Sequence, residues 1–484
     1  MTCSGFKFDN TYLQLPEMFY TKLLPSPVPK PEIVILNTQL AIELGLDFSN
    51  TSLNNQAELF AGNQIPKSAE PFAQAYAGHQ FGHFTMLGDG RAIVLGEHIN
   101  PTGQRFDLQF KGSGPTPYSR NGDGRAALGP MLREYIISEA MNALNIPTTR
   151  SLAVVTNGNQ VYRETALPGA ILTRVASSHI RVGTFQFAAL KHNKDITQAL
   201  LDYTIKRHYP EIEEKQNKPL ALLEAAVKNQ AALVTHWMRV GFIHGVMNTD
   251  NMALSGETID YGPCAFMDTY DPGTVFSSID HMGRYAYANQ PAIVQWNIAR
   301  LAETLLPLLD ANIEKAKELA EETINGFGAM YKENSLSMLR AKVGLFGEHK
   351  EDEKLITDLL DWMQKEGADY TNTFLDLTHE TPPKGEPYNN CAFKEWHSRW
   401  KARVAKNKQS LDSSLALMRT SNPVVIPRNH KVEQVLDAAT NGDLHPLKDL
   451  LAALQEPYKY NSNLKPYQSP PTPEEKVCQT FCGT

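Results

Sequence analysis

One short stretch of the chain holds an amide and a carboxylate at a spacing suited to binding a divalent metal ion. Residues 244–251 have the sequence HGVMNTDN, and residues 260–262 have the sequence DYG. We expect a strand–turn–strand hairpin over residues 251–260, which would place the side chains of Asn251 and Asp260 opposite one another. Their oxygen atoms could then bind one Mg²⁺ ion that also contacts phosphate oxygens.

The same spacing occurs in protein kinases, where His-Arg-Asp is followed by four residues and an Asn, and later by Asp-Phe-Gly. The catalytic Asp of that pattern is replaced here by Val246, which cannot accept a proton. Transfer of a γ-phosphoryl group by the usual route is therefore not expected. Asp250 is the nearest replacement carboxylate and our candidate proton acceptor, with helix capping or turn formation as the alternative.

A lysine and a glutamate upstream complete the pattern. Residues 105–111 alternate apolar and polar side chains, which predicts a strand that ends at Lys111. Pro130 begins a predicted helix that carries Glu134. Kinases pair such a strand lysine with a helix glutamate, which holds the lysine at the phosphates, and we assign Glu134 this supporting role.

Two arginines and two glycines add candidate phosphate contacts. Gly88 and Gly90 precede a predicted strand and could let backbone amides approach a phosphate, although the full glycine-rich pattern is absent. Arg174 and Arg181 flank the expected junction of two lobes and could clamp a triphosphate, with ordinary surface arginines as the alternative. Residues 121–125 form a second glycine-rich loop that turn chemistry alone could explain.

The elements that must position these residues predict an α+β, two-lobed plan. We expect an N-terminal extension over residues 1–60, a β-rich lobe over 61–178, a helical lobe with the metal hairpin over 179–455, and an extended tail over 456–484. Further expectations are a helix capped by Asn37, a hairpin over residues 151–164 with its turn at Asn157-Gly158, and a long helix over residues 297–331.

Composition excludes several classes of protein. The 484 residues carry a net charge of −7, which argues against a general nucleic-acid binder. Five cysteines are too few for a disulfide scaffold. There is no secretory signal at the N-terminus and no apolar run that approaches a membrane span, so we expect a cytoplasmic protein without membrane or nucleic-acid partners.

Taken together, these motifs resemble the selenoprotein-O family of protein adenylyltransferases, which have a protein-kinase-like fold and were first classed as pseudokinases. The resemblance covers most of the chain. The motifs that carry it are AGHQFG at 77–82, LGDGR at 87–91, QFKGSGPTPYSR at 109–120, HGVMNTDN at 244–251, and residues 422–430. Eukaryotic members carry selenocysteine near the C-terminus, where this chain has Cys482.

The resemblance implies transfer of AMP from ATP, or of UMP from UTP, to Ser, Thr or Tyr hydroxyls of target proteins, with the protein itself as a candidate target. The nucleotide would bind reversed relative to kinases, with Mg²⁺ or Mn²⁺. Asn251 and Asp260 would then be metal ligands and Asp250 the proton acceptor. The implied nucleotide contacts are Gly88, Gly90, Arg91, Lys111, Asp123, Gly124, Arg174, Arg181 and Asp260.

Two alternatives and one regulatory hypothesis stay open at this point. A true kinase and a non-catalytic nucleotide-binding pseudokinase both remain compatible with the motifs. Cys264 follows the DYG motif closely, and Cys478 and Cys482 lie near the C-terminus on a tail with little expected packing. A disulfide from Cys264 to either tail cysteine could pin the tail over the active-site segment, the alternative being reduced thiols without a role.

Overall fold

The computed structural model describes residues 5–379, 383 and 385–481. Over these residues the chain is a mixed α/β structure with one large antiparallel sheet and many helices. Nearly all of the sheet comes from the first 176 residues, and most of the helices follow it. The boundaries predicted at residues 60, 178 and 455 stay predictions.

The strands are numbered along the chain. They are β1 Tyr20–Lys22, β2 Glu32–Leu36, β3 Phe72–Gln74, β4 Ala77–Gln80, β5 His83–Met86, β6 Ala92–Ile99, β7 Arg105–Lys111, β8 Ala126–Ala127, β9 Arg150–Tyr162, β10 Ala166–Ala176, β11 Phe242–Ile243 and β12 Ala265–Phe266. The large sheet has the order β1-β3-β6-β7-β10-β9-β2, and β8 pairs with β10. Two separate pairs, β4 with β5 and β11 with β12, complete the set.

The helices are numbered in the same way. They are α1 Thr38–Glu43, α2 Leu53–Phe60, α3 Leu128–Ala143, α4 Val182–Ala189, α5 Lys194–His208, α6 Lys218–Val240, α7 Gln290–Leu309, α8 Ile313–Lys342, α9 Asp352–Glu366, α10 Tyr370–Asp376, α11 Cys391–Val404, α12 Leu411–Ser421, α13 Asn429–Thr440, α14 His445–Leu454 and α15 Lys465–Gln468. Among the described residues, none of the helices is long and apolar enough to cross a membrane.

Strand β7 confirms the predicted alternation over residues 105–111. Leu108 and Phe110 belong to a hydrophobic cluster that includes Leu40 of α1 and Phe60 of α2. The opposite face of the strand presents polar side chains, and the last of these, Lys111, reaches α3. The amphipathic strand therefore separates an apolar core, covered by the N-terminal helices, from a charged face.

The sequence correctly predicted the start of two helices, because the residues that begin each helix lie close together in the chain. The Asn37 side chain accepts a hydrogen bond from the Leu40 backbone amide, which caps α1 as expected. Helix α3 begins at Leu128, two residues before the expected Pro130, so the proline sits in the first turn, where its missing N–H costs nothing.

The hairpin turn predicted at Asn157-Gly158 is wrong. Strand β9 runs through both residues, and the chain reverses at residues 163–165 instead. In the pairing of β9 with β10, the register shifts opposite Gly169, so that residues 157–159 form a bulge. Gly158 has a φ of +76°, and the Asn157 side chain accepts from the Asn159 amide, so the same residue types make a bulge rather than a turn.

The strand–turn–strand hairpin predicted over residues 251–260 is also wrong. Residues 249–251 form a 3₁₀ turn, and the following segment is a loop. Its backbone pairs with distant segments: Ala253 bridges to Arg181 and Thr258 bridges to Thr148. Those neighbours use its backbone groups, so only a short turn, in which the Gly256 amide donates to the Ala253 oxygen, forms within the segment. The strand pair lies outside the loop, where β11 and β12 close its two ends.

The single helix predicted over residues 297–331 is two helices. Helix α7 ends at Leu309, and α8 begins at Ile313 after an Asn312 cap that accepts from the Glu314 amide. Asp310 also accepts from the Asn312 amide, so the short connection has its own hydrogen bonds. The apolar periodicity does correspond to helix on both sides, but Asp310 and Asn312 interrupt it.

A buried charged network behind the site joins the sheet to the helices. Glu97 of β6 accepts from the Tyr12 amide and from Arg207 of α5, and Arg207 also donates to Asp107 of β7 at 2.8 Å. His179 donates its backbone amide to Asp107 at 3.0 Å. Burial raises the pKa of Glu97, although the Arg207 charge opposes this.

We predict that Arg207→Met lowers the free energy of unfolding by about 3–5 kcal/mol, because it removes the cation that the buried carboxylates of Glu97 and Asp107 share. Lys317→Met on α8 is the control, because its ion pair with Glu314 is exposed and should contribute less than about 1 kcal/mol. Urea unfolding followed by circular dichroism measures both values. Equal losses in the two variants would contradict a stabilising role for the network.

Candidate active site

The predicted site residues come from distant parts of the chain and line one pocket of about 590 Å³. Every predicted nucleotide contact, metal ligand and proton acceptor contributes to its walls: Gly88, Gly90, Arg91, Lys111, Asp123, Gly124, Arg174, Arg181, Asp250, Asn251 and Asp260. The structure thus brings the whole predicted set together, while the role of each residue stays a prediction.

The centre of the pocket is the Asp260 carboxylate, which accepts from three cations. The Nζ of Lys111 lies 2.9 Å from Oδ1, and Arg174 donates to the same oxygen. Arg181 donates to Oδ2 at 2.9 Å and to the backbone oxygen of Asp250 at 2.9 Å. Burial alone would raise the pKa of Asp260, but these three charges hold it well below its usual range.

Glu134 of α3 supports two of these cations from behind. Its Oε2 accepts from the Nζ of Lys111 at 2.7 Å, and its Oε1 accepts from the Nε of Arg174 at 2.8 Å. Burial would raise the pKa of Glu134, yet the charges of Arg174 and Lys111 hold it below its usual value. The predicted pairing of Lys111 with Glu134 is therefore observed, with Arg174 as a partner that the sequence did not indicate.

The backbone at Asp260 explains how its side chain reaches all three cations. Asp260 has a φ of +64°, a left-handed conformation that is uncommon for residues other than glycine, although Asp tolerates it better than most. This turns the chain at the start of the DYG motif. Residues in such conformations persist only when their surroundings hold them, and here three ion pairs do so.

The glycine-rich loop at residues 88–91 and the segment of residues 116–125, which includes the second glycine-rich loop, form one side of the pocket and are bonded to each other. Thr116 donates to the Asp89 backbone oxygen at 2.7 Å, and Ser119 donates to the Gly90 backbone oxygen. Gly88 has a φ of +146°, and a Cβ there would lie 2.4 Å from the Tyr118 ring. The close approach of the loops therefore requires glycine at this position.

Asp250 lies on the 3₁₀ turn at residues 249–251, and one oxygen of its carboxylate is buried. Its Oδ1 is buried and accepts no hydrogen bond from any residue that the structure describes. Burial raises the pKa of Asp250 to about 6, although the Arg181 charge opposes this. A carboxylate held in this way can accept a proton near neutral pH.

Strand β4 encloses Asp250 from the other side. A Cβ on Gly78 would lie 2.6 Å from the Oδ1 of Asp250, so only glycine fits there. The backbone amide of His79 donates to the Thr249 hydroxyl at 2.7 Å, which ties the strand to the same turn. The β4–β5 hairpin therefore sets the position of the candidate base.

Asn251 and Asp260 supply oxygen atoms suited to a divalent metal ion. The amide nitrogen of Asn251 donates to the Val246 backbone oxygen at 2.9 Å, which leaves the side-chain oxygen for a cation. No cluster of three or more His, Cys, Asp or Glu side chains able to hold a metal occurs in the described ranges. An ion here would take its remaining ligands from phosphate and water, as Mg²⁺ commonly does.

Several contacts of the pocket were not predicted from the sequence. Arg163, in the turn between β9 and β10, donates to Asp123 at 2.9 Å and so supports the second glycine-rich loop. The Arg181 guanidinium lies 4.5 Å from the centre of the Tyr76 ring, which also lines the pocket. The hydrophobic and glycine patterns gave no signal for these contacts, because the partners lie far apart in the chain.

The predicted redox cysteines have different surroundings. Cys264 is fully buried, and Cys478 is exposed. Cys482 lies outside the described residues. The tail does reach the active-site segment, because the Thr480 hydroxyl donates to the Pro263 backbone oxygen at 2.7 Å. Whether a tail cysteine bonds to Cys264 stays a prediction.

A pocket with glycine loops, several arginines, a lysine and a pair of oxygen ligands has the chemistry needed by an enzyme that binds a polyphosphate. The chain matches the family model described as "Protein adenylyltransferase SelO" over residues 3–455. It belongs to the SelO family and is a protein nucleotidyltransferase, as the resemblance predicted.

Curated relatives agree over the full length of the chain. The "Protein nucleotidyltransferase YdiU" of Nitrosococcus oceani is 62% identical over 481 residues, which cover 99% of this chain and 98% of that protein. Proteins of the same description from Alcanivorax borkumensis and Bacillus cytotoxicus are 58% and 57% identical. These alignments cover 99% of this chain and 99% and 98% of the respective relative.

We predict that Gly78→Ala lowers the rate of nucleotide transfer by roughly tenfold to a hundredfold, because the new Cβ displaces the Asp250 carboxylate. The control is Gly326→Ala in α8, where a Cβ meets nothing within 4 Å. Label transfer from α-labelled ATP measures the rate, and circular dichroism confirms that both variants fold. A near wild-type rate for Gly78→Ala would contradict the enclosure of Asp250 by β4.

Proposed function

We propose that this protein transfers AMP from ATP, or UMP from UTP, to Ser, Thr or Tyr hydroxyls of proteins, with itself as a candidate target. The fold we propose for it is two-lobed and protein-kinase-like, with the nucleotide bound between the lobes. The order of strand lysine, helix glutamate and metal loop supports this fold. The kinase order of lysine, glutamate, asparagine and aspartate is kept, whereas Val246 replaces the catalytic carboxylate and the full glycine-rich pattern is absent.

The observation that carries the proposal is the clustering of Lys111, Arg174 and Arg181 around Asp260. Three cations with two carboxylates between them form a strong site for the most highly charged part of a nucleotide, its β- and γ-phosphates. Val246 lies in the pocket at the position where kinases have their base. A hydroxyl that attacks a γ-phosphate at that position would therefore find no proton acceptor. A reversed nucleotide accounts for both features.

In this orientation the residues divide the reaction between them. The acceptor hydroxyl oxygen attacks the α-phosphorus, and the bond from that phosphorus to the oxygen bridging to the β-phosphate breaks. Pyrophosphate leaves with its charge balanced by Lys111, Arg174 and Arg181, while the hydroxyl proton passes to the carboxylate of Asp250. Gly88, Gly90, Arg91, Asp123 and Gly124 contact the remainder of the nucleotide.

The side chains of Asn251 and Asp260 would hold Mg²⁺ or Mn²⁺, which when bound neutralises phosphate charge. Asp260 would then share its oxygens between the ion and the cations that now surround it. The amide of Asn251 is already oriented by Val246, so it needs no rearrangement to accept a ligand.

The adduct distinguishes this reaction from phosphoryl transfer. Purified protein is incubated with ATP and with hydroxyl-bearing protein substrates, and the products are measured by intact-mass spectrometry. We expect the mass increment of an AMP residue on the acceptor or on the protein itself. A phosphate increment would identify a kinase, and nucleotide binding without any increment would identify a non-catalytic protein.

Glu134 accepts from both Lys111 and Arg174, which leads to a prediction about their variants. Lys111→Ala should lower transfer roughly a hundredfold, because it removes a phosphate contact, whereas Glu134→Gln should cost less, because Asp260 still holds both cations. The double variant should lose less than the product of the two single losses, since the residues act as one unit. Rates from α-labelled ATP give the comparison, and strictly multiplicative losses would contradict a coupled pair.

A further inference from the structure

Beside the pocket lies an exposed surface that combines apolar and basic side chains. Phe84 and Met86 of β5 are 43% and 51% exposed, and Ile279 and Met282 are 55% and 92% exposed. Single exposed apolar residues are common, but four on adjoining segments beside an active site are characteristic of interaction surfaces. We call these residues, together with Arg284 and Trp296, the rim surface.

Both segments of the rim surface are anchored to the turn that carries Asp250. The Phe81 amide, at the tip of the β4–β5 hairpin, donates to the Oδ1 of Asn248 at 3.0 Å. The hydroxyl of Tyr285 donates to the same oxygen at 2.7 Å. Asn248 precedes Asp250 by two residues, so the rim surface has a fixed position relative to the candidate base.

The basic part of the rim surface centres on Trp296. The guanidinium groups of Arg284 and Arg300 each lie 4.9 Å from the centre of its ring, and the His79 ring lies 5.3 Å away and also contacts Phe84. Arg300 pairs with the exposed Glu303, whereas Arg284 forms no ion pair with any residue that the structure describes. On a chain of net charge −7, the Arg284 guanidinium is thus available to a ligand carboxylate, while the Asp280 carboxylate accepts from the Arg284 backbone amide.

We infer that the rim surface binds the acceptor polypeptide and favours a segment with a carboxylate side chain and an apolar side chain near the target hydroxyl. This rests on the proposed function, which requires a protein segment to approach Asp250. The carboxylate would pair with Arg284, and the apolar side chain would cover Phe84 and Met282. Neither Arg284 nor Trp296 lines the nucleotide pocket, so acceptor and nucleotide use separate residues.

The test uses two fluorescent peptides that carry one Tyr and one Leu and differ only in a neighbouring Glu or Lys. Binding to the full-length protein is measured by fluorescence anisotropy. We expect the wild type to bind the Glu peptide roughly fivefold more tightly, the size of an exposed ion pair. Arg284→Glu should reverse the preference, and Arg399→Glu, a distant arginine on α11, should leave it unchanged.

A separate variant tests how much the apolar side chains of the rim surface contribute to peptide binding. Met282→Ser should weaken both peptides about equally, by roughly threefold to tenfold, because a side chain that is 92% exposed is free to be covered by a ligand. Nucleotide affinity should be the same in all of these variants. A change in nucleotide affinity would mean that the rim surface is not separate from the pocket and would overturn the inference.

Equal binding of the Glu and Lys peptides, or no binding of either at millimolar concentration, would also overturn the inference. A change of oligomeric state in Arg284→Glu, measured by sedimentation, would instead assign the surface to a second copy of this chain. Intact-mass analysis of the same peptides after incubation with ATP tests the proposed function separately. A phosphate adduct would reject nucleotide transfer without changing the binding result.

Discussion

The rest of the site depends on the ion pairs that the Asp260 carboxylate forms with three cationic side chains. Lys111, Arg174 and Arg181 would repel one another strongly in a partly buried pocket without an anion between them. Asp260, with Glu134 behind it, therefore holds them together before any ligand binds. A triphosphate can take over this role of counter-ion, so the pocket is organised in advance for the ligand that we propose.

The fold serves this arrangement by bringing five segments together. Two adjacent strands of the sheet, β7 and β10, supply one cation each, and the segment before α4 supplies the third. The loop between β11 and β12 supplies the carboxylate, and the β4–β5 hairpin closes over the neighbouring Asp250. Binding of the phosphates and placement of the base are linked, because Asp250 and Asp260 lie on the same loop and Arg181 donates to both residues.

Sequence patterns predicted the parts of this site that local chemistry determines. Alternation placed Lys111 at a strand end, and a proline-initiated helix placed Glu134 beside it. Contacts between distant segments left no comparable pattern, so the support of Asp123 by Arg163 went unseen. The hairpin expected over residues 251–260 failed for the same reason, because its backbone groups pair with segments that turn propensity does not report.

The orientation of the nucleotide is the central claim, and a crystal structure with an ATP analogue that cannot be cleaved between the α- and β-phosphates tests it most directly. The account predicts that the γ-phosphate contacts Lys111 and Arg174, and that the α-phosphorus faces the carboxylate of Asp250. A γ-phosphate that faces Asp250, with the α-phosphate turned away from it, would contradict the account.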